Sequence, residues 1–102
     1  MSEDAAPGIT GIHHFSVTVT DLEASLAWYQ RLLRADRVPM QFPHYEREDT
    51  GYGELLVEPR SGVVIGLHTN TANGGELFDE ARTGLDHVAL NVATREDLEA
   101  WT

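Results

Sequence analysis

An internal repeat constrains this chain more than any other feature. Slid by 73 positions, Gly11 falls on Gly84, His14 on His87, Val19 on Val92, Glu23 on Glu96, Ala27 on Ala100 and Trp28 on Trp101. Ile12, Phe15 and Val17 meet Leu85, Val88 and Leu90, so the apolar pattern repeats with the polar one. Such self-similarity marks two copies of one supersecondary unit. Each copy reads as a strand followed by a helix.

Side chains alternate between the faces of a strand. In the first copy His13, Phe15, Val17 and Val19 share one face, and His14, Ser16, Thr18 and Thr20 the other. In the second, Val88, Leu90 and Val92 form the apolar face, with Asp86 at its start. Leu85, His87, Ala89 and Asn91 lie opposite. His14 and His87 therefore occupy equivalent places on the more polar face. A twofold between the units would let the imidazoles converge.

The rest of the chain fits around these copies. Residues 1–8 are small, polar and acidic, and read as a disordered tail. Ile9–Thr20 is the first expected strand. Asp21 is a good helix cap, and Leu22, Leu26, Tyr29, Leu32 and Leu33 carry a helical spacing over Leu22–Leu33. Arg37–Phe42 reads as a second strand, at an edge because of Pro39 and Pro43. Thr50-Gly51 suggests a turn, then Tyr52–Glu58 a third strand. Pro59-Arg60-Ser61-Gly62 is a turn signal, and Val63–His68 is a fourth strand. Residues 69–83 read as a linker with one helical turn at Glu76–Ala81. Gly84–Val92 is the expected fifth strand, and Thr94 caps a second helix. The expected core is Phe15, Val17, Val19, Leu26, Leu33, Val88, Leu90 and Val92. One domain spans 9–102: a first strand–helix–three-strand module over 9–68, the linker, and the start of a second module over 84–102. A complete second copy needs roughly 30 to 40 further residues, so the chain reads as a fragment.

Composition narrows the function classes. At 102 residues the chain is at most one domain. A net charge of −10 with no lysine opposes nucleic acid and anionic membrane surfaces as partners. Without cysteine there is no disulfide, thiol nucleophile or thiolate metal site. Residues 1–7 carry neither a basic region nor an apolar run, so a secretory signal is not expected there and a cytoplasmic setting is the default.

The run Gly11-Ile12-His13-His14-Phe15-Ser16-Val17-Thr18-Val19-Thr20-Asp21-Leu22 and its continuation to Tyr29 resembles the opening of a vicinal oxygen chelate module. Gly84–Val92 resembles the opening of the second. This superfamily includes glyoxalase I, extradiol dioxygenases, fosfomycin-resistance enzymes and bleomycin-binding proteins. The resemblance implies an α+β fold of paired βαβββ modules in a cupped sheet, with a divalent metal in the cup. One histidine from the first strand of each module would bind it, with acids from later strands; His14 and His87 match those positions. The acid on the last strand of the second module has no counterpart here. The glyoxalase I subgroup also places a glutamate on the fourth strand, where Gly66 stands, which counts against glyoxalase I itself.

The candidates carry bland readings beside sharp ones. His14 and His87 are either metal ligands or hydrogen-bonded sheet histidines. Two imidazoles suit Zn, Fe, Mn, Ni or Co without choosing among them. His68 is a third ligand, a substrate contact or a polar strand end. Gly66 leaves space in the cup, and Tyr52 and Asn91 are substrate-binding candidates. His13 should face away and be structural. Glu46, Glu54 and Glu58 could supply a base or be solvated. Tyr45 and Phe42 line a pocket or fill core, and Trp28 fits core. Two functions follow. One is a metal-dependent enzyme, lyase or dioxygenase among others, acting on a small molecule through its paired oxygens. The other is a metal-free protein of the bleomycin-resistance type that sequesters a small ligand. A homodimer is expected in either case.

Overall fold

The computed structural model describes residues 6–44 and 47–102. Tyr45 and Glu46 lie outside the described residues, as do residues 1–5 of the expected tail. Residues 6–8 are exposed and lack regular structure.

Helix α1 (Leu22–Leu33) forms where the apolar spacing puts it. Asp21 caps it, its carboxylate accepting the Ala24 N–H at 3.1 Å, and Arg34 ends it in the left-handed region at φ 52°. Leu22 and Leu26 are buried, with Tyr29 and Leu33 partly so, a stripe stepping by three and four residues. Trp28 falls off that stripe. It is half exposed, edge-on to Tyr29 with centroids 4.8 Å apart, which corrects the core position expected for it. Removing the cap with Asp21→Ala should cost about 1 kcal/mol in urea unfolding; an unchanged midpoint would mean that water replaces the cap.

Among the described residues four strands form one sheet: β1 (His14–Thr18), β2 (Asp36–His44), β3 (Arg47–Val57) and β4 (Val64–His68). Their order is β1-β4-β3-β2. β1 runs parallel to β4, and the other pairs are antiparallel. Prolines 39 and 43 sit where β2 breaks register against β3, and β2 is an edge strand as its prolines require. Gly51 lies within β3 rather than in a turn. Its φ is 125°, and a Cβ there would run into the Thr69 carbonyl, so only glycine passes. The turn after β3 is held by Glu58, whose carboxylate accepts the Arg60 and Ser61 N–H groups at 2.9 and 3.0 Å.

The sheet packs one face on α1. Leu56, Ile65 and Leu67 are buried there with Leu22, Leu26 and Ala35, and Phe15, Val17 and Val19 pack against them. Register explains the set: Leu56 stands opposite Ile65, and β1 places Phe15 and Val17 beside Ile65 and Leu67.

The second copy departs from expectation. Gly84–Val92 forms no strand, and Val88, Leu90 and Val92 are 46%, 53% and 41% exposed rather than core. The local pattern matches that of β1, but a strand exists only with a ladder partner. β1 has β4; residues 84–92 have no partner strand among the described residues. The helical turn expected at 76–81 is also absent. Asn73 accepts the Gly75 and Glu76 N–H groups, and Asp79 that of Ala81, all at 2.9 Å, turns that compete with a helix. Helix α2 (Arg95–Ala100) does form, capped by Thr94 accepting the Asp97 N–H at 3.1 Å, and buries no residue. No helix among the described residues is long and apolar enough to cross a membrane.

Candidate functional site

The face of the sheet away from α1 carries His14, Ser16 and Thr18 from β1, Gly66 and His68 from β4, Gly53 and Leu55 from β3, and Phe42 from β2. Together they border an open cavity of about 540 Å³ lined by His14, Ser16, Thr18, Phe42, Leu55 and His68, with Val17 also reaching its edge. The alternation read from the first copy thus delivers its polar side chains to one concave surface.

Two glycines shape the floor. Gly53 stands opposite His68, and a Cβ on it would meet the His68 Nδ1 at 2.6 Å. Gly66 stands beside Ser16, and a Cβ on it would run into Ser16 Oγ and lie 3.3 Å from His68 Nε2. The imidazole therefore lies over both glycines, with its Nε2 toward Ser16. Phe42 closes the other side, edge-on to His68 with centroids 5.3 Å apart.

His14 sits at the opposite end of this row. It pairs with Val64, four residues before His68, which at about 3.3 Å per residue sets the two Cα atoms about 13 Å apart along the strands. His13 precedes the strand, so alternation does not turn it away. Its Nδ1 lies 2.7 Å from the Nδ1 of His14, one nitrogen donating to the other.

His87 is not brought to the cavity. It lies in the irregular 84–92 segment, exposed, with Nδ1 2.8 Å from the Asp86 carboxylate. Asn91 is exposed in the same segment. Tyr52 shares parity with Glu54 and Leu56 and does not line the cavity, although Gly66 stands at its floor. Among the described residues no three of His, Cys, Asp and Glu are grouped to hold a metal ion.

Of the glutamates considered as bases, Glu46 lies outside the described residues, and Glu54 and Glu58 are otherwise engaged. Glu54, 2% exposed, faces α1, where Arg37 donates to both carboxylate oxygens at 2.7 and 2.8 Å. Arg37 also reaches Glu23 on α1 at 3.0 Å. The Arg37 hydrogen bonds hold the Glu54 carboxyl below the usual range despite its burial, and the two carboxylates push the guanidinium up. Amide donation from Arg60 likewise holds Glu58 low. Ser16 and Thr18, which sequence reasoning did not weigh as site residues, were signalled by sharing His14's face.

The family model of the Glyoxalase/Bleomycin resistance protein/Dioxygenase superfamily matches residues 11–102. A glyoxylase/bleomycin resistance protein/dioxygenase domain from Frankia sp. EAN1pec is similar in structure, with 34% sequence identity, a TM-score of 0.76 and 92% of this chain covered. The chain spans 65% of the length of that structure. A fosfomycin resistance protein, FosX, from Listeria monocytogenes matches with 15% identity and a TM-score of 0.58, over 92% of this chain and 67% of that one. Its structure holds Mn(II) and 1S,2S-dihydroxypropylphosphonic acid. A second FosX structure, with Mn(II) and sulfate, matches at a TM-score of 0.57, with the same identity and coverage. At that identity FosX shows a shared fold. No curated protein matches.

Proposed function

We propose, since the chain belongs to the Glyoxalase/Bleomycin resistance protein/Dioxygenase superfamily, that it binds a small molecule in the cavity on the open face of the sheet. One observation carries this reading: hydroxyl and imidazole side chains from two strands face a cavity of about 540 Å³ whose far wall is Phe42 and Leu55. Concave, largely apolar sites with a few placed polar groups are the usual form of a ligand site. Acidity of the whole chain opposes nucleic acid as a partner. A homodimer in the cytoplasm is the setting this reading expects.

The test fills the cavity. Ligand-observed NMR of neutral and anionic ring fragments should give hits that compete with one another and are lost in Leu55→Trp. Hits retained equally in that variant would place binding elsewhere and sink the proposal.

A divalent-metal-dependent enzyme is the second reading. It is favoured by the repeat, which makes His87 equivalent to His14, and by the Mn(II) in the FosX structures. The donors gathered here do not fit a complete shell. His14 and His68 stand at opposite ends of the cavity, and His87 is outside it. A structural metal shell takes four ligands and a catalytic one three plus water. If His14 and His87 both ligate, replacing either with alanine should weaken Mn(II) binding at least about tenfold. Equal affinity in both variants would remove this reading.

A further inference from the structure

Three of the chain's seven cationic side chains converge on one cleft. Arg31, Arg34 and Arg60 line a cavity of about 350 Å³, bordered also by Leu32 and Trp101. They come from separate elements: Arg31 from the last turn of α1, Arg34 from its cap, Arg60 from the turn after β3 and Trp101 from the end of α2. This cleft shares no lining residue with the cavity on the open face of the sheet.

Two of the arginines have ordinary reasons for their places. A cation in the last turn of α1 suits the helix dipole, which accounts for Arg31. Arg60 leans on Glu58, with Nε 3.6 Å from the carboxylate. Neither reason covers Arg34. It stands in left-handed backbone at φ 52°, the only non-glycine residue with positive φ among the described residues. Glycine usually fills such a cap. A cation kept there against the preference of the backbone points to a use for its guanidinium.

The charges decide what could bind. The end of α1 contributes roughly half a negative charge, and Glu58 offsets Arg60 in part. Arg31 and Arg34 add two full positive charges beside Arg60, so the cleft is locally cationic on a chain of net charge −10. Distant carboxylates are screened beyond about 8 Å at physiological salt. Guanidinium forks fit the oxygens of carboxylate and phosphate. A phosphate monoester carries close to two charges near neutral pH, which suits several guanidiniums better than a monoanion does. The Trp101 indole is half exposed at this cleft and offers a flat apolar face.

We propose that this cleft binds a small phosphate monoester carrying a flat ring, with Arg31, Arg34 and Arg60 holding the phosphate and Trp101 stacking on the ring. It is a second site, and it stands apart from the cavity reading above.

Phenyl phosphate is the probe, with phenol, benzoate and inorganic phosphate as comparators, titrated into the full chain. The Trp101 indole N–H is followed by NMR, with that of Trp28 as the reference. Phenyl phosphate should move the Trp101 signal and bind at least about tenfold more tightly than phenol, as charge-assisted hydrogen bonds allow. Arg31→Gln and Arg60→Gln should each weaken it about fivefold or more. Arg34→Gly should weaken it as much while the melting temperature holds or rises, because glycine suits that backbone. Loss of binding in that variant cannot then be laid to unfolding. Trp101→Ala should bring phenyl phosphate down toward inorganic phosphate. Binding should persist in Leu55→Trp, which fills the other cavity. Phenol or benzoate binding as tightly as phenyl phosphate would overturn the dianion, and inorganic phosphate doing so would overturn the ring. Full affinity in Arg34→Gly, or loss of binding in Leu55→Trp, would overturn the site itself.

Discussion

Leu26→Ala is expected to lower stability by about 3–4 kcal/mol, read as a fall in the urea midpoint with an unchanged slope. The side chain is fully buried, on the helix that covers the sheet, within a cluster that includes Leu22, Leu56, Ile65 and Leu67. Removing its branched end takes away buried apolar contact and leaves a hole that its neighbours cannot close, because they belong to separate backbone elements. Domains are typically stable by only about 5–15 kcal/mol, so a chain this short should lie close to unfolding. Leu32→Ala is the control. Leu32 is on the same helix but 40% exposed, and its loss should cost under about 1 kcal/mol. Equal effects at the two positions would mean that the helix is not docked as described.

Arg37→Met is the second large effect. It removes the partner of a buried carboxylate: Glu54 keeps only Gln41, whose amide donates at 3.4 Å. An unpaired charge at that depth is costly, and a fall of roughly 10–20 °C in melting temperature is expected at pH 7. The pH dependence gives the mechanism away. In the parent, Arg37 holds the folded-state Glu54 carboxyl below its unfolded value. That stabilisation is fully present above the unfolded value and is lost as pH falls through the folded one. In the variant burial acts alone and raises the folded value, so protonation becomes favourable to the fold. The gap between parent and variant should therefore narrow as pH drops from 7 toward 4. Glu54→Leu in the Arg37→Met background should restore much of the loss. Glu23, exposed on the helix, contributes little, as surface pairs do. A gap that stayed constant with pH would show that Arg37 acts through packing and not through its charge.

How much of this was legible in the chain depends on how local each cause is. Helix α1 was readable to the residue, because its cap and its stripe lie within twelve residues. The faces of β1 were readable because alternation is a property of one strand, and Phe15 and Val17 do lie on the helix side. Residues 84–92 carry the same local signal and form no strand, because pairing is a relation between segments and not a property of one. Trp28 was misplaced by adding a residue to a stripe that the 3.6-residue period excludes. The Arg37–Glu54 pair was out of reach because it depends on the register of β2 against β3, which two prolines disturb. Its only trace was a charge at Glu54 sharing the parity of Leu56. The space left by Gly66 was expected; that Ser16 and His68 both occupy its surroundings needed the parallel register of β1 and β4.

That parallel pair also orders the assembly of the molecule. Every β1 residue meets a β4 partner fifty positions further along the chain. The β3–β4 hairpin closes through a short turn, and β2 joins β3 as the neighbouring antiparallel strand. Closing a long loop costs chain entropy before its contacts return anything. The β2–β3–β4 meander is therefore expected to form before β1, which should dock together with the apolar face of α1; a β1 substitution such as Val17→Ala should then speed unfolding and leave the folding rate nearly unchanged. The cavity is divided along the same line, with Ser16 and Thr18 on β1 and Phe42, Leu55 and His68 on the meander strands. The cavity is thus complete only when β1 is paired with β4, and a chain with β1 undocked lacks one side of it.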